Sequence, residues 1–311
     1  MRSVAVVFDG PRQLSLRELA LTPAAATDVV VDIAYSSISA GTERLLWEGR
    51  MPQFPGLGYP LVPGYESVGV VARAGAETSL TVGTHVFVPG ANCYGEVRGL
   101  FGGASRHVVA PASRVIPVDA ALGERATLLA LGATAYHALR AGAVLPDLIV
   151  GHGVFGRLAA RITRALGGTP TVWEKAPERM QGATDYAVLR SDDDPRRDYA
   201  CVFDASGDAS LLDALVLRLR KGGEIVLAGF YATPITFQFP MAFIKEARLR
   251  IAAEWAPGDL AAVLDLVRDG TLSLDGLITD LAPADHAADA YRAAFEDPSC
   301  LKMVLDWRTL S

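Results

Sequence analysis

The stretch "LIVGHGVFGRLAARITRALGGTPTVWEK", residues 148–175, decides how this chain is read. Leu148, Ile149 and Val150 form an apolar run short enough for a buried strand. Gly151, Gly153 and Gly156 follow at GxGxxG spacing. Phe155, Leu158, Ala159, Ile162 and Leu166 then recur on one face of a helix, which Gly167-Gly168 ends. A second apolar run, 170–173, closes on Glu174.

In a strand–turn–helix context each glycine has a mechanical task. Gly151 permits the tight turn, Gly153 lets a pyrophosphate approach the backbone, and Gly156 allows the helix to pack closely on the strand. Val154 and Phe155 open a helix whose N-terminus offers N–H donors to an anion. Glu174, 18 residues after Gly156, can accept hydrogen bonds from the ribose hydroxyls of NAD and repels a 2′-phosphate. Lys175 and Arg179 leave NADP open, and NAD is the expected cofactor. Downstream, "DASGD" (204–208) and "GF" (229–230) end later strands, so Ser206 and Gly229 are cofactor-lining candidates by position. His152, inside the glycine turn, is expected to face the phosphates or solvent.

Working outward, apolar strand patterns alternate with helical ones from about residue 120: "YACVFDASGD", the helix "ASLLDALVLRLRK", "GGEIVLAGF", and a last strand "LRIAAEW" (249–255). This alternation predicts an α/β domain with a doubly wound parallel sheet, a Rossmann domain over 119–269. Residues 1–118 read differently. "DVVVDIAYSSI" (28–38), "ESVGVVARAG" (66–75), "THVFVPG" (84–90) and "SRHVVAP" (105–111) are short strand patterns punctuated by Gly and Pro, a barrel-like β-rich domain. The tail, with the helix "PADHAADAYRAAFED" and the strand "CLKMVLDW", is expected to return to that first domain, which therefore comprises 1–118 and 270–311.

Composition narrows the function classes. With 50% hydrophobic and 21% charged residues the chain can build a sizeable core. A net charge of −6 sets nucleic acid aside as a partner. Three scattered cysteines, Cys93, Cys201 and Cys300, contain no CxxC pair and suit a reducing cytoplasm. The N-terminus lacks a long apolar core, so neither a signal peptide nor a membrane span is expected.

A β-rich domain, a nucleotide domain and a C-terminal return together resemble the medium-chain dehydrogenase/reductase superfamily. The family's pattern G-H-E-x-x-G-x-V is matched by Gly64-Tyr65-Glu66-Ser67-Val68-Gly69-Val70, with Tyr65 where the zinc-binding His would stand. Its C-x-[ST]-D segment is matched by Ala40-Gly41-Thr42-Glu43, with Ala40 at the Cys, Thr42 at the relay hydroxyl and Glu43 at the following acid. Ala130 falls at the third ligand, and the structural zinc loop is reduced to Cys93. The resemblance thus implies a GroES-like catalytic domain, a Rossmann NAD domain and no catalytic or structural metal. Analogy with the superfamily points to a homodimer joined edge to edge through "EIVLAGF" or "RLRIAAE".

The segment "ISAGTERLLWEGRMPQFPGLGYPLVPGYESVGVV" (38–71) is closer still to a short, metal-free branch acting on bacteriochlorophyllides. That resemblance implies oxidation of the 1-hydroxyethyl group on ring A of this tetrapyrrole to acetyl, with hydride passing to NAD. Without zinc, a side chain must handle the hydroxyl proton. The candidates are Tyr65, alone or through Thr42, with Glu66 and Glu43 beside them; a cofactor's positive charge would help lower the tyrosine's pKa. Tyr65 could equally fill the lost metal's space with its hydroxyl on backbone, and Glu66 could equally be a structural ion pair, for instance with an Arg. His137, on the helix entering the nucleotide domain, either approaches substrate or is a packed helix residue. A flat, apolar tetrapyrrole with a propionate needs aromatic walls and a cation. Trp47, Phe54 and Tyr59 on the apolar loop, Tyr94 on a second loop, and Arg50 with Arg44 nearby meet that description, although the aromatics could equally pack the loops. The rival readings are a zinc-free quinone or enone reductase, a sugar or polyol dehydrogenase, and a binding protein without turnover.

Overall fold

A computed structural model describes residues 1–53 and 55–310. They form two compact units, one from Met1 to Ala130 resuming at Ile278, the other Leu131–Leu277.

The first unit is built on two sheets. Arg2–Gly10 and Gln13–Ala20 form a hairpin, extended through Leu61–Val62 to Arg98–Gly99. The larger, seven-stranded sheet is centred on Asp28–Ser37, an apolar strand buried along most of its length. Ser67–Ala74 pairs with one of its edges. The other edge is shared: His107–Pro111 takes residues 28–32 and Met303–Asp306 takes residues 35–37. The strand 303–306 is the expected C-terminal return, and Trp307, fully buried, donates its indole N–H to Ser36 Oγ at 2.8 Å.

The second unit carries six strands, all parallel. Their order is Ala187–Leu189, Thr171–Trp173, Leu148–Val150, Tyr199–Asp204, Leu219–Leu227, Arg248–Ile251. In chain order this is 3-2-1-4-5-6, the Rossmann arrangement, whose direction of winding reverses between the first and fourth strands. Register there is Leu148 with Val202 and Val150 with Asp204. Gly151 and the 204–206 turn therefore emerge side by side at the carboxyl edge, where such sheets bind nucleotides.

Several elements depart from the sequence reading. The chain changes unit after Ala130 and after Leu277, where the sequence placed the changes after 118 and 269. The segment Ala120–Leu128 stays with the first unit because it buries Ala126, Thr127 and Leu128 and packs on three of its strands. Residues 270–277 stay with the second because Leu272, Leu274 and Leu277 are buried and Arg161 holds two of their carbonyls. The helix read at 209–221 is α-helical only over Leu212–Arg218; Leu219 turns extended and pairs with Tyr199. Among the described residues no helix is long and apolar enough to cross a membrane.

Candidate active site

The turn 63–66 delivers Tyr65 and Glu66 to the start of Ser67–Ala74, beside the end of Asp28–Ser37. Glu66 is fully buried. An isolated carboxylate there would be costly to desolvate, so it needs a counter-charge. Lys302 provides it: Nζ donates to Glu66 Oε2, the atom that also accepts the Ser37 hydroxyl. Pairing explains the meeting. Ser37 lies opposite Val304, and its N–H donates to the Glu66 carbonyl at 3.0 Å, so strand alignment brings all three side chains together. Glu66 Oε1 has no hydrogen-bond partner among the described residues. The counter-ion is thus a lysine from the C-terminal return, not an arginine.

Glu43, on the short helix Thr42–Glu48, is the second buried carboxylate. It accepts the Tyr291 hydroxyl at 2.7 Å and the Ser39 N–H at 3.2 Å. Burial, reinforced by the Glu66 charge, pushes its carboxyl up to about 8 against the pull of Tyr291, Ser39 and Lys302. Glu43 is therefore largely protonated near neutrality.

Tyr65 is half-buried, its ring edge-on to Phe101 at 5.3 Å. Its hydroxyl lies 2.8 Å from Ser39 Oγ and has the Thr42 side chain as a second hydrogen-bond neighbour. The hydroxyl is thus engaged by side chains rather than by backbone. Burial, then the charges of Glu66 and Glu43, push its ionisation well above the usual tyrosine range. This opposes the lowered value considered from sequence: the acids alongside stabilise the neutral phenol.

Ala40, at the matched first metal position, has no donor atom, and Ala130, at the third, is buried and equally inert. Zinc needs three or four N, S or O ligands, and these three positions offer only a phenol held neutral. Among the described residues no group of three or more His, Cys, Asp or Glu side chains could hold a metal ion.

The substrate-side candidates separate. Trp47 is half-buried, edge-on to Phe8 at 5.6 Å and tilted against Phe295. Tyr59 is half-buried and donates its hydroxyl to the Leu46 carbonyl. Arg50 is exposed and pairs with Glu48 at 2.9 Å, as does Arg44 at 3.0 Å, so one carboxylate is shared by two cations. Tyr94 is corrected: its ring belongs to the hydrophobic core, and its hydroxyl donates to the Gly102 carbonyl at 2.5 Å. A tyrosine closed into the core with its one polar atom spent on backbone cannot form a substrate wall. Phe54 lies outside the described residues.

In the second unit the glycine turn has the geometry its spacing demands. Gly151 adopts φ +97°, left-handed backbone that favours glycine. A Cβ on Gly156 would sit 1.8 Å from the Gly151 carbonyl oxygen, so helix and turn approach only because no side chain intervenes. The helix Val154–Ala165 starts at Gly153 with no side-chain cap. Glu174, half-buried, accepts from His152 N at 2.8 Å through one oxygen and from Lys175 N and Ala176 N at 2.7 and 2.8 Å through the other. A carboxylate has about four acceptor sites, so capacity remains for a ribose hydroxyl. Ser206 donates its N–H and hydroxyl to Asp204, and a Cβ on Gly229 would strike Gly207 N at 2.5 Å. Phe155 leans on Phe203 at 5.8 Å, and Lys175 is exposed. An amide-lined turn at the sheet's switch point with an acid at the next strand end fits a dinucleotide.

His152 is corrected. It is fully buried and faces neither phosphates nor solvent; its ring nitrogens meet the Arg179 carbonyl and the Tyr186 hydroxyl. His137 is the packed alternative, its Nδ1 2.9 Å from Asp259.

Sequence reasoning missed Ser37, Ser39, Tyr291 and Lys302. Lys302 carried a usable signal, a solitary cation inside the apolar run "CLKMVLDW" that must find a buried acid.

Residues 25–120 match the alcohol dehydrogenase GroES-like domain. The chain is 58% identical to the 2-desacetyl-2-hydroxyethyl bacteriochlorophyllide A dehydrogenase of Rhodobacter capsulatus, over 99% of each chain. It is 55% identical to the protein of the same name from Cereibacter sphaeroides, again over 99% of each. Its fold superimposes on an Escherichia coli protein described as a short chain alcohol dehydrogenase, solved with NADH, at a TM-score of 0.84 and 22% identity, covering 98% of this chain and 99% of that one. The chain belongs to the medium-chain dehydrogenase/reductase family of alcohol dehydrogenases. Within that family it groups with relatives named as bacteriochlorophyllide dehydrogenases.

Proposed function

We propose that this chain oxidises the ring-A 1-hydroxyethyl group of a bacteriochlorophyllide to acetyl, with hydride transfer to NAD and without a catalytic zinc. The observation that carries the substrate is the 58% identity, over essentially both whole chains, to a relative named for that activity. The absence of donor atoms at Ala40 and Ala130 supports the zinc-free reading.

When bound, NAD supplies the hydride acceptor; the chain's own residues handle the proton. Tyr65, held as a neutral phenol, accepts a hydrogen bond from the substrate hydroxyl while donating its own to Ser39 or Thr42. As the carbinol C–H bond breaks, the hydroxyl proton moves to the Tyr65 oxygen and the Tyr65 proton moves on. Thr42, half-exposed, passes it to water. Tyr65 and Thr42 are thus the catalytic pair; Glu66 with Lys302 sets the charge around them, and Glu43 stands beside them as a protonated acid. Gly151, Gly153, Val154, Phe155 and Gly156 hold the pyrophosphate, Glu174 the ribose, and Lys175, Ser206 and Gly229 line the nucleotide. Trp47, Tyr59, Arg44 and Arg50 meet the pigment, the two arginines sharing only one acid and so keeping positive charge for a propionate.

Three unpaired, buried cysteines support work in the cytoplasm. The strand Arg248–Ile251 is an open edge of its sheet and exposes its own Leu249 and Ile251, which supports a homodimer formed along this edge.

The test is incubation of purified protein with NAD and 3-hydroxyethyl bacteriochlorophyllide. Acetyl formation moves the pigment's long-wavelength band to the red as NADH appears, and activity survives exhaustive chelation. Bound pigment with no shift overturns the reading.

A further inference from the structure

We propose that His152, at the first variable position of the glycine turn, is a positioning residue for the adenosine half of the dinucleotide, fixing the Glu174 carboxylate and the 179–181 segment from beneath. This rests on the cofactor reading above.

Every polar group of His152 is engaged. Its N–H donates to Glu174 Oε2 at 2.8 Å, and its carbonyl accepts from Arg157 Nε at 3.0 Å. Nδ1 lies 2.6 Å from the Arg179 carbonyl and Nε2 2.8 Å from the Tyr186 hydroxyl. A carbonyl only accepts, so Nδ1 carries the hydrogen; in the neutral ring Nε2 must then accept from Tyr186. Tyr186 in turn is a hydrogen-bond partner of Arg161, whose guanidinium donates to the carbonyls of Ser273 and Asp275, each at 2.8 Å. With every polar atom of His152 itself satisfied, its ring is held in one arrangement.

The network bears on the nucleotide in two ways. Three backbone N–H groups orient Glu174, and one of them comes from His152, so the acid is set before a ribose arrives and less ordering is lost on binding. The segment after Glu174 is pinned to the same turn. The Arg179 carbonyl accepts from both His152 and Arg157, and Arg157 also donates to the Gln181 carbonyl at 2.7 Å. Arg157 reaches it across Gly182, where a Cβ would lie 2.1 Å from the guanidinium. Pinning that backbone places the Arg179 guanidinium over the turn, 3.8 Å from where a Cβ on Gly153 would sit. An apolar residue at 152 would preserve the GxGxxG glycines and lose both ring contacts.

The test separates the two halves of the cofactor. Binding of NADH, ADP-ribose and reduced nicotinamide mononucleotide is titrated by fluorescence or calorimetry on wild type, His152→Ala, His152→Asn and Tyr186→Phe. His152→Ala should weaken NADH and ADP-ribose about tenfold, the scale of one buried hydrogen-bond partner lost, and leave the mononucleotide unchanged. His152→Asn, which keeps an N–H near the Nδ1 position, should recover most of the loss, and Tyr186→Phe should fall between. If His152→Ala does not fold, the other two variants carry the comparison. Wild-type affinity for ADP-ribose in folded variants, or equal weakening of both halves, overturns the assignment while leaving NAD binding intact. A wild type that binds neither NADH nor ADP-ribose overturns the cofactor reading itself.

Discussion

Lys302 Nζ and the Glu66 carboxylate form an ion pair closed to solvent, with side chains 2% and 0% exposed. They are separated by 236 positions in the chain and meet because their strands flank the same end of Asp28–Ser37. Removing one partner leaves a buried charge uncompensated. Lys302→Met should cost about 3–5 kcal/mol in denaturant unfolding, and adding Glu66→Gln should restore much of it. Additive losses in the double variant would show that the two side chains are energetically independent.

Tyr65→Phe keeps the ring against Phe101 and removes only the hydroxyl. Turnover of the hydroxyethyl pigment should fall about a hundredfold, a typical share for positioned proton transfer, with the melting temperature unchanged. Ser39→Ala should cost less, since Thr42 still serves the phenol. Unchanged turnover in Tyr65→Phe would leave this side chain only the vacated metal's volume.

Glu43 makes folding stability depend on pH in a defined direction. Its carboxyl is raised from 4.5 to about 8, so the folded chain holds this proton more tightly than the unfolded one. The resulting stabilisation is complete below 4.5 and is lost as pH rises through 8. From about pH 5 to about pH 8, wild type should lose stability faster than Glu43→Gln, which cannot ionise. Parallel pH–melting curves for the two proteins would contradict it.

His152 acts in the opposite sense. Burial, with the Arg157 charge, pushes its imidazole down to about 4, so its contribution is present above 6.5 and is lost as pH falls toward 4. His152→Asn should therefore resist mild acid better than wild type in the same melting assay.

Ile251, 79% exposed, stands on the open sheet edge of the second unit, and Phe243, 68% exposed, lies on the helix Phe239–Lys245 that precedes this strand in the chain. Phe243→Asp with Ile251→Lys should convert a sedimenting dimer to monomer. A wild type that sediments as a monomer at micromolar concentration removes the homodimer.

The glycine turn was legible because its function is local: the spacing of Gly151, Gly153 and Gly156, the strand before and the stripe after are one contiguous run. The neighbourhood of Tyr65, Thr42, Glu43 and Glu66 could be reached through family patterns. What lay beyond reading were partners set by long-range pairing. Tyr291 donates to Glu43 across 248 positions, and nothing near either residue announces it. His152 was misread because its side chain turns inward beneath the backbone, a direction that spacing does not encode. The same holds for Tyr94, whose aromatic ring suits a pocket wall and a core equally well until packing decides. The short strand Ala187–Leu189 carries too few residues to show a period.

The C-terminal return has a consequence for biosynthesis. The second unit is one continuous segment, Leu131–Leu277, and can fold as soon as the ribosome has released it. The first unit cannot settle then, because the cation for Glu66 and the hydroxyl for Glu43 have yet to be made. Nascent chains should therefore carry a finished nucleotide domain between two halves of an unfinished one. Until Lys302 docks, the two buried acids act as a brake that keeps the first domain open.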